Sequence, residues 1–154
     1  MAEDRLYGKT MCAELVSGLL VIAHTTDPPE RSEWTRYCEL ASQLYTARGS
    51  LRVLVFAEGI ADGPNSTQRT EFSQKVPPEQ TRVAVMTSSL PARAAITALS
   101  WFLPNIRAFR DGAVHEALAY LDTPSPIPEP AIEAALDRMR RHMSTSPSGR
   151  ATRG

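Results

Sequence analysis

The run Leu51-Arg52-Val53-Leu54-Val55-Phe56 is apolar at every position but one, short, and rich in valine and leucine. A strand of that composition has no face suited to water, so it reads as a central strand of a sheet covered by helices on both sides. This places the chain in the α/β class. The flanking segments agree. Met11 to Leu15 and Leu19 to His24 are apolar runs split by Val16-Ser17-Gly18, where the glycine tolerates the positive φ of a tight hairpin. Asp27-Pro28-Pro29-Glu30 then predicts a helix start, with Asp27 as the capping carboxylate, proline at the first helical position, and Glu30 reaching back to the cap. The buried stripe of that helix is Trp34, Tyr37, Cys38, Ala41, Leu44 and Tyr45, and Gly49 ends it.

Beyond the central strand, the loop Glu58 to Pro64 leads to Asn65-Ser66-Thr67-Gln68, where Asn65 or Ser66 caps a second helix anchored by Phe72. Pro77-Pro78 breaks that helix, and Arg82 to Thr87 forms the next strand. Ser88 or Ser89 caps a third helix with Pro91 in its first turn and Ala95, Ile96, Leu99, Phe102 and Leu103 along one face. This helix is nearly apolar all round, so it is either covered by more than one neighbour or offers a face to a partner. Trp101 and Phe102 read as core residues or as interface anchors. Ile106 to Phe109 is a short last strand, Asp111-Gly112 a turn, and Val114, Ala117, Leu118 and Leu121 mark a fourth helix.

The domain accordingly spans residues 11–122, after a polar N-terminal segment at 1–10. Residues 123–130 carry a proline at every second position, an extended and stiff spacer. An amphipathic helix at 131–143 follows, with Ile132, Ala135, Leu136, Met139 and Met143 in one stripe. Three uses are open to it: docking back on the domain, pairing with a second copy through Ile132, Leu136 and Met139, or entering another protein's groove. Residues 144–154 are polar and are expected to be disordered.

With 154 residues, 42% of them hydrophobic, the chain is long enough for one ordinary core. Its 17 basic residues balance 17 acidic ones, which removes the electrostatic warrant for a nucleic-acid binder and leaves room only for a local basic patch. No apolar stretch approaches the ~20 residues of a membrane span, and no export signal is read at the N-terminus. A cytoplasmic location is expected, with Cys12 and Cys38 as buried thiols.

Catalytic chemistry finds little support in the residues. Gly8-Lys9-Thr10 imitates the end of a phosphate-binding loop, but Glu3 stands where that motif needs a glycine. His24, His115 and His142 show no metal-ligand spacing. His24 falls at the end of a strand and reads as a structural imidazole or, less readily, as a base. Cys38 sits on a buried stripe, unsuited to a nucleophile. Glu58 and Asp62 flank one loop, where carboxylates usually face water. Neither a catalytic set nor a metal site is therefore expected.

A hairpin followed by alternating helices and strands gives a mixed sheet whose later strands are parallel. In such sheets, ligands and partners engage the loops beyond the carboxyl ends of the strands, here Thr25–Pro29, Glu58–Thr67 and Thr87–Pro91. The pattern from Trp34 through Leu51-Arg52-Val53-Leu54-Val55, Gly63-Pro64-Asn65 with Gln68-Arg69, Val83-Ala84-Val85-Met86-Thr87, Thr97-Ala98-Leu99-Ser100-Trp101, Asn105-Ile106-Arg107-Ala108-Phe109 and Ala117-Leu118-Ala119-Tyr120-Leu121 resembles the SpoIIAA-like branch of the STAS superfamily. The resemblance covers Met11 to Asp122. It implies a mixed four- to five-stranded sheet flanked by about four helices, with the C-terminal helix on its proline-rich linker as an addition. It also implies no cofactor, and regulation by contact with another protein, as in bacterial anti-sigma factor antagonists switched when a partner kinase phosphorylates a serine at a helix N-terminus.

By element order that switch falls on Ser66 or Thr67, although the Asp-x-Ser-Gly word of those antagonists is replaced here by Gly63-Pro64-Asn65-Ser66-Thr67. A phosphate there would meet free amides and the positive end of the helix dipole; the alternative is that Asn65 and Ser66 simply cap the helix. The partner surface expected from this reading comprises Gly59, Asp62, Gly63, Asn65, Ser66, Thr67, Ser88, Ser89 and Arg93, with Arg93 placed to meet an anion or to face solvent. A second reading is a carrier of a small apolar ligand or lipid, suggested by the apolar third helix.

Overall fold

The computed structural model describes residues 5–25, 27–58, 65–99, 105–123 and 126–145. Six strands form one sheet in the order in which they occur: β1 (Arg5–Tyr7), β2 (Met11–Val16), β3 (Leu19–His24), β4 (Leu51–Ala57), β5 (Thr81–Met86) and β6 (Ile106–Phe109). The first three are antiparallel neighbours, while β3 to β6 run parallel. The sheet has one strand more than the four or five expected, because Arg5–Tyr7 in the polar N-terminal segment pairs with β2. Three residues are too few to show an alternating pattern, so only the pairing reveals this strand.

The predicted hairpin is β2–β3, with Ser17 and Gly18 both at positive φ (51° and 87°) in its turn. The helices are α1 (Arg31–Arg48), α2 (Ser66–Lys75), α3 (Leu90–Leu99), α4 (Val114–Leu121) and α5 (Glu129–Thr145). As predicted, β4 lies between two strands, and its side chains alternate between two cores. Val53 and Leu51 join Trp34, Tyr37, Cys38, Ala41 and Leu44 of α1 on one face. Leu54 and Phe56 join Ala117 and Leu121 of α4 and Ile132, Ala135 and Met139 of α5 on the other.

The start of α1 differs from the sequence expectation. Asp27 is not its cap; the N-cap position is Glu30, whose side chain makes no capping bond. The β1–β2 turn supplies the acceptor instead: Thr10 Oγ1 accepts from the Glu30 amide (3.3 Å) and donates to Glu33 Oε1 (2.6 Å). Glu33, buried in the first turn of α1, also accepts from the amides of Lys9 (2.6 Å) and Thr10 (3.0 Å). Gly8-Lys9-Thr10 thus wraps an anion, but the anion is the chain's own carboxylate. A Cβ on Gly8 would run into the Glu33 carboxyl group, so only glycine allows this approach.

Further findings concern α3 and the C-terminal region. On α3, Ala92 is buried and Ile96 half-buried, whereas Ala95, expected on the covered face, is exposed. Leu99 has no described side chain, and Trp101, Phe102 and Leu103 lie outside the described residues. Helix α5 begins at Glu129 rather than after the prolines, and proline in its first turn is compatible with helix because the amide there has no intrahelical partner. Of the three uses open to its stripe, the fold shows docking back on the domain: Ile132, Ala135 and Met139 are fully buried against the sheet. Ile132 and Met139 are therefore unavailable to a second copy in this fold, and Leu136 packs partly buried beside them. Of the tail expected at 144–154, Ser144 and Thr145 belong to α5 instead, and residues 146–154 lie outside the described residues.

Candidate functional site

The carboxyl ends of β4 and β5 launch α2 and α3 from one edge of the sheet. At the first of these, Asn65 Oδ1 accepts from the Gln68 amide (2.8 Å) and Gln68 Oε1 accepts from the Asn65 amide (3.0 Å), a complete capping box. Gln68 also ties this turn to the start of α1, since its carbonyl accepts from Trp34 Nε1 (2.9 Å) and its Nε2 donates to Pro29 O (3.4 Å). Trp34, Tyr37 and Phe72 form an aromatic cluster behind it, with the Tyr37 and Phe72 rings stacked 5.4 Å apart. The cap is thus provided without Ser66 or Thr67, and both stay exposed in the first turn. They border a shallow polar groove with Thr70, Glu71 and Gln74.

At the second launch point, Thr87 is fully buried and its Oγ1 accepts from the Ser89 amide (3.2 Å). Ser89 Oγ accepts from the Ala92 amide (3.2 Å), which makes Ser89 rather than Ser88 the cap of α3; Ser88 is exposed. Arg93 is half-buried in the first turns of α3, and its Nε is buried without a hydrogen-bond partner. Asn65, Ser66, Thr67, Ser88, Ser89 and Arg93 lie beyond the carboxyl ends of two neighbouring strands, β4 and β5. Gly59, Asp62 and Gly63 lie outside the described residues.

His24 Nδ1 donates to Thr25 O (2.8 Å), and Glu58 is exposed. Burial pushes the Cys12 thiol up to about 11 and the Cys38 thiol up to about 12, so both remain protonated at neutral pH. Among the described residues, no group of three His, Cys, Asp or Glu side chains is placed to hold a metal ion. No described helix is long and apolar enough to cross a membrane.

Two clusters escaped the sequence analysis. Glu14, in the middle of β2, is buried, and Arg138 of α5 binds it bidentately through Nε (3.1 Å) and Nη2 (2.7 Å) while Tyr7 OH donates to the same carboxylate. Burial alone would raise the Glu14 pKa, but the bonds from Arg138 and Tyr7 outweigh it and hold the carboxyl below its usual range. A charged residue inside an otherwise apolar strand was the available signal. The second cluster is Arg52, Arg82 and Arg107, on three successive strands beside the end of α4.

No protein-family model and no curated protein matches the chain. Among solved structures, the crystal structure of an uncharacterized protein from the DUF3478 family with a SpoIIAA-like fold, from Shewanella loihica PV-4, is similar with a TM-score of 0.51. The two are 17% identical, and the match covers 79% of this chain and 98% of that one. A likeness at this identity concerns architecture, and with the strand order and helix layers above it leads to one conclusion: the chain has a SpoIIAA-like fold.

Proposed function

We propose that the chain is a non-catalytic, cytoplasmic regulatory module that binds another protein through the edge formed by Asn65–Thr67 and Ser88–Arg93. Phosphorylation of Ser66 or Thr67 is the switch in this reading. The observation that carries it is the division of labour in the first turn of α2: Asn65 and Gln68 complete the cap, leaving two exposed hydroxyls beside amides that a phosphate can reach. A phosphate there adds about two negative charges to the docking surface without dismantling the helix start. Arg93, in the first turns of the helix launched from the next strand and with a buried Nε that has no partner, is the group suited to an anionic partner.

A carrier of small apolar ligands is the competing reading, favoured by α3. Leu90 is 69% exposed, and Ala94, Ala95 and Ala98 are exposed as well, so this apolar helix shows a greasy outer face. Affinity purification from native cells followed by native mass spectrometry separates the two. A co-eluting protein, with a phosphate on Ser66 or Thr67, supports the regulatory module. A homogeneous chain carrying an apolar small molecule overturns it in favour of the carrier.

A further inference from the structure

We propose a second docking site at the opposite end of the parallel strands, on the α4 side of β4, β5 and β6, which takes an acidic polypeptide segment. It does not rest on the regulatory reading. Arg52 and Arg82 are direct cross-strand partners, and Arg107 pairs with Ala84, two residues along from Arg82. The period of two in a strand puts all three guanidiniums on one face.

Like charges directly opposite one another destabilise a sheet, so this arrangement needs compensation. The C-terminus of α4 supplies part of it: Arg52 Nε donates to Leu121 O (2.6 Å) and Arg82 Nη1 to Tyr120 O (2.9 Å). A helix end offers only about half a negative charge, against three positive ones. Each guanidinium carries five N–H donors, and the Arg107 side chain makes no hydrogen bond or ion pair among the described residues. None of the three arginines is in an ion pair there, since the pairs present involve Arg36, His115, Arg138 and Arg141. Asp122, the exposed C-cap of α4, is the carboxylate next in sequence to Leu121, and it forms no ion pair with them among the described residues.

Aromatic rings prepare the patch for planar anions. The Arg82 and Arg107 guanidinium carbons lie 5.5 and 5.7 Å from the Tyr120 ring centroid, and Arg107 lies 5.6 Å from that of Phe109. A guanidinium packed on a ring keeps N–H edges free for bidentate contact with a carboxylate. Arg107 is exposed, on the last strand of the sheet. The three positions span two strand spacings, roughly 10 Å, a distance that a short peptide with alternate acidic side chains covers. The balanced net charge argues against nucleic acid, which requires a broader basic surface.

The test is an NMR titration of the 15N-labelled full chain at low salt with hexaglutamate, with inorganic phosphate and a six-nucleotide oligothymidylate as alternative probes. The expected result is shifts confined to Arg52, Arg82, Arg107 and Tyr120, with affinity reduced about tenfold in Arg107→Glu. Arg107 is exposed, so an unchanged spectrum away from the patch verifies that this variant is folded. Shifts elsewhere, no shifts, or equal affinity in Arg107→Glu overturn the site. Equal binding of phosphate at matched charge reduces it to nonspecific anion attraction, and tighter binding of the oligonucleotide replaces the polypeptide by nucleic acid.

Discussion

Thr10 Oγ1 donates to Glu33 Oε1 at 2.6 Å while accepting from the Glu30 amide, so one hydroxyl in the β1–β2 turn both caps α1 and locks its first-turn carboxylate. Replacing it removes two bonds and leaves a buried acceptor short of a donor. Thr10→Val is expected to lower stability by about 1–3 kcal/mol. Gly8→Ala is expected to do the same by a different route, because its Cβ would meet a carboxylate that three hydrogen bonds hold in place. Urea unfolding midpoints at unchanged slope measure both; a midpoint equal to wild type in either variant contradicts this account.

Arg138 and Glu14 join α5 to β2, and removing only the arginine leaves a buried carboxylate uncompensated. Arg138→Met is expected to cost about 1–3 kcal/mol, less than a fully buried pair because the arginine side chain is 49% exposed. The double variant Arg138→Met with Glu14→Gln should recover part of the loss in a chemical denaturation series.

The depressed Glu14 pKa gives this pair a definite pH dependence. Its contribution is fully present above the ordinary carboxylate range near 4 and is lost as pH falls through the lower folded value. The stability difference between wild type and Glu14→Gln should therefore shrink on acidification below about pH 4. A difference that stays constant between pH 7 and pH 3 would falsify the assignment.

Met139 is fully buried in the sheet–α5 core. Met139→Ala is expected to destabilise the fold by about 2–5 kcal/mol without altering the molar mass seen by light scattering. A change in assembly at unchanged unfolding midpoint would instead return this stripe to an intermolecular role.

Asn65 and Ser66 occupy consecutive positions with different duties. Asn65→Ala removes the cap of α2 and is expected to cost about 0.5–2 kcal/mol. Ser66→Asp keeps the cap and places a negative charge beside the helix N-terminus, so stability should be unchanged or higher by about 0.3–1 kcal/mol. Thermal unfolding of the two variants orders them; a strongly destabilised Ser66→Asp would mean that the hydroxyl is needed by the fold.

Much of the architecture is local and was therefore readable in the chain. The doubly covered β4, the β2–β3 hairpin turn, the stripe from Trp34 to Leu44 and a cap of α2 at Asn65 or Ser66 all arise from residues within a few positions of one another. Their periodicities and backbone preferences act before any distant contact forms. The cap of α3 at Ser88 or Ser89 was legible for the same reason, and Thr87 settles the choice for Ser89.

The remaining features depend on segments brought together from far along the chain. Asp27 had the local signature of a cap, but a threonine 20 residues from Glu30 in sequence took the role because the sheet holds the β1–β2 turn over the start of α1. Glu14 and Arg138 are 124 residues apart, and their pairing follows from α5 burying its apolar stripe on β2 and β3. Arg52, Arg82 and Arg107 are unremarkable one at a time, and strand register alone makes them neighbours. Periodicity along the sequence determines which face a residue takes within its own element, whereas the partner across that face is selected by packing and register among distant elements, which no local pattern encodes.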